Sequence, residues 1–175
     1  MRRLLLIGEH DLVIDEKNRL LIPSDIRKAI VPDRDGEAFY LVLGLNRRPW
    51  LYPENVYEDM VFQQGDDIAP GREQLDFAHA NFALAHKITL DSQGRALIPD
   101  KTLKRTGVGR EITLIGSGNR LEIWPREEWN KRRDEDLVPR IEEVAIKAKQ
   151  FRQTQNRITP PPIEGNGNGN GNGNL

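Results

Sequence analysis

Two stretches of the chain carry the same alternation of apolar and polar positions, each closed by a proline. The first runs His10-Asp-Leu-Val-Ile-Asp15-Glu-Lys-Asn-Arg19-Leu-Leu-Ile-Pro23, and the second His86-Lys-Ile-Thr-Leu-Asp91-Ser-Gln-Gly-Arg95-Ala-Leu-Ile-Pro99. His, Asp, Arg, Leu, Ile and Pro recur at matching places, 76 positions apart. A second block repeats at an offset of 72: Leu43-Gly44 followed by Leu51-Tyr52-Pro53 matches Ile115-Gly116 followed by Ile123-Trp124-Pro125. Agreement across both blocks, in the same order, marks the chain as a tandem duplication.

Each half reads as four short strands with a helical turn, which makes the fold class α+β and β-rich. Leu12–Ile14 and Leu20–Ile22 are strands joined by the polar turn Asp15–Arg19. Asn18 and Gly94 share one turn position and both tolerate positive φ, which predicts a left-handed residue there. Pro23 and Pro99 end the second strands because proline cannot donate to a ladder. Ser24 and Asp100 are the expected caps of short helices over 25–30 and 101–106. Third strands are expected at Phe39–Leu43 and Ile112–Ile115, and fourth strands at Trp50–Tyr52 and Arg120–Trp124. Gly116-Ser117-Gly118-Asn119 forms the hairpin turn between the last two.

Helical spacing appears at three further places. Val56, Met60 and Val61 predict a short helix, and Leu75, Ala78, His79 and Phe82 share one face of a helix starting near Arg72. After Pro139, placed in a first turn, Ile141, Val144, Ala145, Ala148 and Phe151 form an apolar stripe suited to packing on the body or on a neighbouring subunit. Beyond Gln153, Pro160-Pro161-Pro162 and the alternating Gly and Asn from Gly165 to Asn174 predict a disordered tail.

Composition narrows the chemistry. The chain contains no cysteine and three histidines, so neither a disulfide framework nor a thiolate metal site is available. His10 and His86 recur at strand starts without a close Cys or His partner, which fits a structural hydrogen-bonding role rather than metal ligation. The apolar run Leu4–Ile7 is too short for a signal peptide, and no stretch is long enough to span a bilayer, so a cytoplasmic protein is expected. No Gly-rich phosphate loop, nucleophile elbow or His-Glu metal motif is present. Glu127 and Glu128 lie at a helix start, where the macrodipole favours them. An enzyme is therefore not expected, nor are a catalytic residue, a cofactor, a metal or a small-molecule substrate. Trp50, Trp124 and Trp129 suit core or interface anchors. The net charge of −1 is not that of a strongly basic domain, but residues 87–110 alone carry a balance of +4. A local basic face is thus permitted.

The twinned turns hold the candidate chemistry. An arginine beside a tight turn can project its fork from a sheet and grip a guanine edge bidentately in the major groove. Arg19 and Arg95 are the expected base readers, with Lys17, Lys101, Lys104 and Arg105 near phosphates. Asp15 and Asp91 are expected to accept turn amide protons or to hold the arginines, fixing the loop together with Asn18 and Gly94. An Asp and Arg four positions apart are often no more than a surface ion pair. Repetition of the same pair at the same place favours DNA contact.

These blocks resemble the MraZ family, whose halves are related to AbrB and SpoVT swapped-hairpin DNA-binding domains. The resemblance rests on Asp15–Arg19 and Asp91–Arg95, each followed by Leu-Ile-Pro, and on Gly8-Glu9-His10, Leu51-Tyr52-Pro53 and Ile123–Trp129. It covers about Gly8 to Asp136. It implies a pseudo-twofold, duplicated AbrB-like barrel, with a first half at 1–71, a bridging helix and second half at 72–136, a helical extension at 137–153 and a tail at 154–175. It further implies a nucleoid-associated transcriptional regulator that binds double-stranded DNA at short direct repeats upstream of a division and cell-wall gene cluster, as a ring-like homo-oligomer. Asn18 in place of the first signature glycine, the longer N-terminal segment and the extension from Val138 depart from the family pattern. Related swapped-hairpin proteins also neutralise toxins through their tails, which leaves an antitoxin-like protein as the alternative; a purely structural oligomer is a third reading.

Overall fold

The computed structural model describes residues 4–63 and 71–158, with side chains through 151. The chain runs β1 (Glu9–Val13), β2 (Arg19–Leu21), α1 (Ser24–Ala29), α2 (Pro32–Asp35), β3 (Ala38–Leu43), β4 (Pro49–Pro53), α3 (Glu54–Phe62), α4 (Arg72–Ala78), β5 (His86–Thr89), β6 (Arg95–Leu97), α5 (Asp100–Thr106), β7 (Glu111–Gly116), β8 (Leu121–Pro125), α6 (Arg126–Lys131) and α7 (Ile141–Ile158). The α+β reading holds, and every strand expected from the repeat is present. Residues to Lys131 form one compact unit and those from Arg132 form a second.

In the first unit, six strands form an antiparallel sheet in the order β1-β7-β8-β4-β3-β5. The order exposes the duplication. The inner hairpin of each half, β3-β4 or β7-β8, takes its outer strand from the other half: β1 pairs with β7 and β5 with β3. The halves meet where Trp50 opposes Glu122 and Leu51 opposes Leu121. This exchange is the swapped hairpin, and β1 and β5 end the sheet without closing it. Neither half can complete its own sheet.

Across the centre, cations cover the partner half's aromatic rings. The Arg48 guanidinium lies 5.1 Å over Trp124, and Arg120 lies 4.0 Å over Trp50 and 5.9 Å over Tyr52. Arg48 also pairs with Glu128. Trp50 and Trp124 are thus anchors between the halves, and the Trp129 ring lies 5.7 Å from that of Trp124, tilted by 58°.

One core crosses both halves. Ile14, Leu20, Ile22, Leu41, Leu51, Ala96, Ile98, Ile112, Leu114, Leu121 and Ile123 are at most 1% exposed and belong to a single cluster. Truncating any of the larger ones costs about 2–5 kcal/mol. A smaller aromatic cluster, Val42, Tyr52 and Tyr57, sits on the other face of β3-β4 beneath α3.

The expected caps are shifted by one residue. Ser24 and Asp100 are the first helical residues, and Pro23 and Pro99 stand at the cap positions with extended backbone and no side-chain cap. Their ring-fixed φ of −54° and −59° turns the chain from strand to helix. The helix near Arg72 ends at Ala78 and continues as a wider π-helical turn, His79–Ala83. In the second unit a π-helical turn at Arg132–Leu137 leads into α7, which starts two residues beyond Pro139 rather than enclosing it. Within that unit Arg140 bonds Asp136 at 2.7 Å and Glu143 at 3.0 Å, while Ile141, Val144 and Phe151 are exposed. Pro160 to Pro162 and the Gly-Asn tract lie outside the described residues.

Candidate functional site

The two signature turns fold alike. In the first, the Asn18 backbone N–H donates to the Asp15 carbonyl at 2.9 Å and the Asp15 N–H to the Arg19 carbonyl at 3.0 Å. In the second, Gly94 donates to Asp91 at 2.8 Å and Asp91 to Arg95 at 2.9 Å. The fourth residue of each turn is left-handed, with φ of 58° at Asn18 and 79° at Gly94. That is the conformation the sequence requires there.

Each aspartate organises its turn from inside. Asp15 Oδ1 accepts the N–H groups of Lys17 and Arg19, both at 2.9 Å, and Oδ2 accepts Arg19 Nε at 2.8 Å. Asp91 does the same with Gln93, Arg95 and Arg95 Nε, at 2.9, 3.0 and 2.8 Å. Arg95 Nη2 adds a contact of 2.7 Å to Oδ2. The shortest contact of Arg19 with its carboxylate is through Nε. Hydrogen bonds to the ionised form lower an acid's pKa. The Arg19 backbone N–H, followed by its side chain, holds Asp15 below the usual carboxylate range. The Arg95 side chain, then its backbone N–H, brings Asp91 down to about 2.

The turns are not separate sites. The strands that leave them, β2 and β6, pair in a two-stranded ribbon with Arg19 opposite Leu97, Leu20 opposite Ala96 and Leu21 opposite Arg95. Opposed residues share a face, so Leu20 and Ala96 go inward, both fully buried. Arg19, Leu21, Arg95 and Leu97 all face outward. The turns also lock into each other: Ile22 N–H donates to the Gly94 carbonyl at 3.0 Å, and Ile98 N–H to the Asn18 carbonyl at 2.8 Å.

The outward face is partly solvated. The Arg19 and Arg95 side chains are 30% and 25% exposed, and the outer edges of both guanidiniums, Nη1 with Nη2, have no acceptor beyond the turn aspartates among the described residues. Leu21 and Leu97 are 46% and 58% exposed, unusually open for leucine in paired strands. A charged and apolar face of this kind, with its cations fixed in advance, suits recognition of a polyanion that also offers apolar groups.

The basic residues expected at phosphates divide. Lys17 is exposed within the first turn itself. Lys101, Lys104 and Arg105 are exposed on α5, and none of them hydrogen-bonds to either turn among the described residues. Lys104 pairs with Asp100 at 2.6 Å, and Arg105 lines a small cleft with Leu41, Leu43 and Leu84, beside the third strand rather than the ribbon. His10 lies 3.5 Å from Asp25, but the Nε2 atoms of His10 and His86 have no hydrogen-bond partner among the described residues. The expected structural hydrogen bond is therefore not made at that nitrogen.

Sequence reasoning missed Leu21, Leu97 and Arg27. The leucines recur at an offset of 76, yet an unbroken Leu-Leu-Ile or Ala-Leu-Ile run conceals which residue points outward until the register is known. Arg27, on α1, donates from Nε to the Ile22 carbonyl at 3.0 Å and covers Gly94 of the other half's turn. Its signal was a break in the repeat, because Leu103 holds the matching position.

Comparison with known proteins agrees with this arrangement. Residues 81–151 match the family model described as "MraZ protein, putative antitoxin-like". The chain is 32% identical over 147 residues to the transcriptional regulator MraZ of Clostridium tetani, covering 81% of this chain and 100% of that protein. It is equally identical to the regulator of the same name from Heliobacterium modesticaldum, with 84% and 99% covered, and 30% identical to that of Dictyoglomus thermophilum, with 82% and 95% covered. With the repeat, the exchanged strands and relatives matched over nearly their whole length, the chain belongs to the MraZ family.

Proposed function

We propose that this protein is a sequence-specific DNA-binding transcriptional regulator whose reading element is the β2-β6 ribbon. The observation that carries the proposal is the common outward face of Arg19 and Arg95, each held at its turn by an aspartate with its outer edge open. The B-form major groove admits a two-stranded ribbon. Diagonal neighbours on such a ribbon lie roughly 7–8 Å apart, about two base steps at ~3.4 Å each. The two guanidiniums would meet closely spaced guanines, with Leu21 and Leu97 against thymine methyls. Lys17, Lys101, Lys104 and Arg105 would add phosphate contacts, those of α5 from the side.

One ribbon reads only a few bases. Useful discrimination therefore needs several ribbons on one duplex, as a ring-like homo-oligomer on short direct repeats would provide through effective concentration. Family membership supports placing those repeats upstream of a division and cell-wall gene cluster that includes the protein's own gene. The relatives' name, transcriptional regulator, supports the same reading and calls for no catalytic step.

The test is binding to a duplex from upstream of the gene, compared with a scrambled duplex, across a salt series. The wild type should prefer the native duplex, with affinity falling steeply as salt rises. Arg19→Ala or Arg95→Ala should each reduce that preference about 5- to 150-fold for each ribbon engaged, the equivalent of ~1–3 kcal/mol per lost bidentate contact, without changing the oligomer. Undiminished preference in the double variant would rule out the ribbon as the reader.

A further inference from the structure

Arg27 is the residue that breaks the equivalence of the two turns. It lies on α1 beside the buried Ile26, yet its side chain crosses to the opposite half. A Cβ built on Gly94 would meet Arg27 Nε, Cζ and Cδ at 2.7, 2.8 and 2.9 Å. The guanidinium thus rests directly on the glycine, whose backbone is buried while the turn residues before it are exposed. Nε is anchored to the Ile22 carbonyl, and Ile22 N–H in turn holds the Gly94 carbonyl. The stem borders a surface cleft with Ile30, Phe39 and Leu90. Nη1 and Nη2 have no acceptor among the described residues.

A surface arginine ordinarily leaves its terminal nitrogens to water, so it is the fixed position of this one that matters. This one is anchored by Nε while its two-nitrogen end is left open, one residue from Arg95 on the turn it covers. The position matching Gly94 in the other turn is Asn18, which carries a side chain of its own, and the position matching Arg27 is the apolar Leu103. The Arg95 turn therefore has a second guanidinium, supplied from a position whose counterpart in the repeat is apolar.

We propose that Arg27 is a DNA-backbone-contacting residue, which clamps the second turn from the first half and presents Nη1 and Nη2 to a phosphate flanking the bases read by Arg95. This rests on the regulator reading above and adds to it a phosphate contact at the Arg95 end of the ribbon, where Gln93 stands at the position that Lys17 holds in the other turn.

The test compares the full-length wild type with Arg27→Ala, Arg27→Lys and Arg27→Gln on the native upstream duplex and on a scrambled one, over a salt series. A phosphate contact contributes about one unit to the slope of log affinity against log salt. Arg27→Ala should flatten that slope by about one for each ribbon engaged, on both duplexes, and weaken binding roughly eightfold per engaged ribbon at ~0.1 M salt. Lys, which keeps the charge, should restore the slope. Gln, which keeps a planar polar head over Gly94 without charge, should not. An unchanged slope in Arg27→Ala, or rescue by Gln and not by Lys, would reduce Arg27 to packing and overturn this proposal while leaving the ribbon intact. A wild type that binds neither duplex would overturn the regulator reading and Arg27 with it.

Discussion

The two halves share a sequence pattern and a strand arrangement, but they differ in what precedes the outer strand. Before β1 the chain stays extended: Leu6 pairs with Gly118 and is 1% exposed in the main core. At the matching place before β5 the chain is a π-helical turn, and Phe82, the counterpart of Leu6, is 46% exposed. The cause is local. Gly8 takes a φ of 95°, open to glycine, and carries the extended chain onward beside Gly116, where an added Cβ would strike the Ile7 backbone at 2.4 Å. Its counterpart Leu84 has φ of −100° and caps the helical turn instead. A repeat thus specifies strands and their exchange, while a single glycine decides whether the segment ahead of a strand extends the core or leaves it.

The contrast breaks most visibly in stability. Leu6→Ala should cost about 2–5 kcal/mol, as for other fully buried leucines. Phe82→Ala should stay within about 0.5 kcal/mol, as for exposed positions without a special contact. Chemical denaturation of the two variants measures both. Equal losses would mean that the two segments are equivalent in solution.

At the turns the effect should be smaller and of the opposite polarity, with the second half the more sensitive. Gly94→Ala places a Cβ in a left-handed backbone and against Arg27, so a loss of about 1–3 kcal/mol is expected. Asn18→Gly removes a tolerated side chain from the same conformation and should change stability by about 0.5 kcal/mol or less. Combining Gly94→Ala with Arg27→Ala should recover part of the loss, because it relieves the contact but not the backbone. A strictly additive double variant would show that Arg27 and Gly94 do not press on one another.

These contrasts mark the limit of what the sequence discloses. The duplication, the strand set, the left-handed turn positions and the pairing of Asp15 with Arg19 and Asp91 with Arg95 were legible, because each is a local matter of periodicity or turn chemistry. The register of β2 against β6 was not. It is set between residues 76 positions apart, and it alone turns two separate turns into one face and exposes Leu21 and Leu97. The role of Arg27 was hidden for the same reason: its partner glycine lies in the other half, and a break in a repeat signals a difference without saying what it touches. The one-residue shift at Ser24 and Asp100 arose because the preceding prolines, already fixed in φ, take the cap position.

The smallest expected difference is in how the turns respond to acid. Both carboxylates accept backbone N–H groups and an arginine Nε, but the Arg95 side chain is the leading cause at Asp91, whereas at Asp15 the Arg19 backbone N–H leads. In each case the folded pKa lies below the unfolded value of about 3.9. The stabilisation is therefore complete above that value and is lost as pH falls through the folded pKa. For Asp91 the loss extends down to about 2. Carboxyl carbon shifts followed by NMR between about pH 5 and 2 should show Asp15 protonating first and Asp91 last. Asp91→Asn should free Arg95 while leaving Arg19 in place, so specificity falls at the bases read by Arg95 alone. If Asp15 held its charge to the lower pH, the Arg95 side chain would not tighten its turn more than the Arg19 side chain does, and the two ends of the ribbon would be equally prepared for DNA despite their different neighbours.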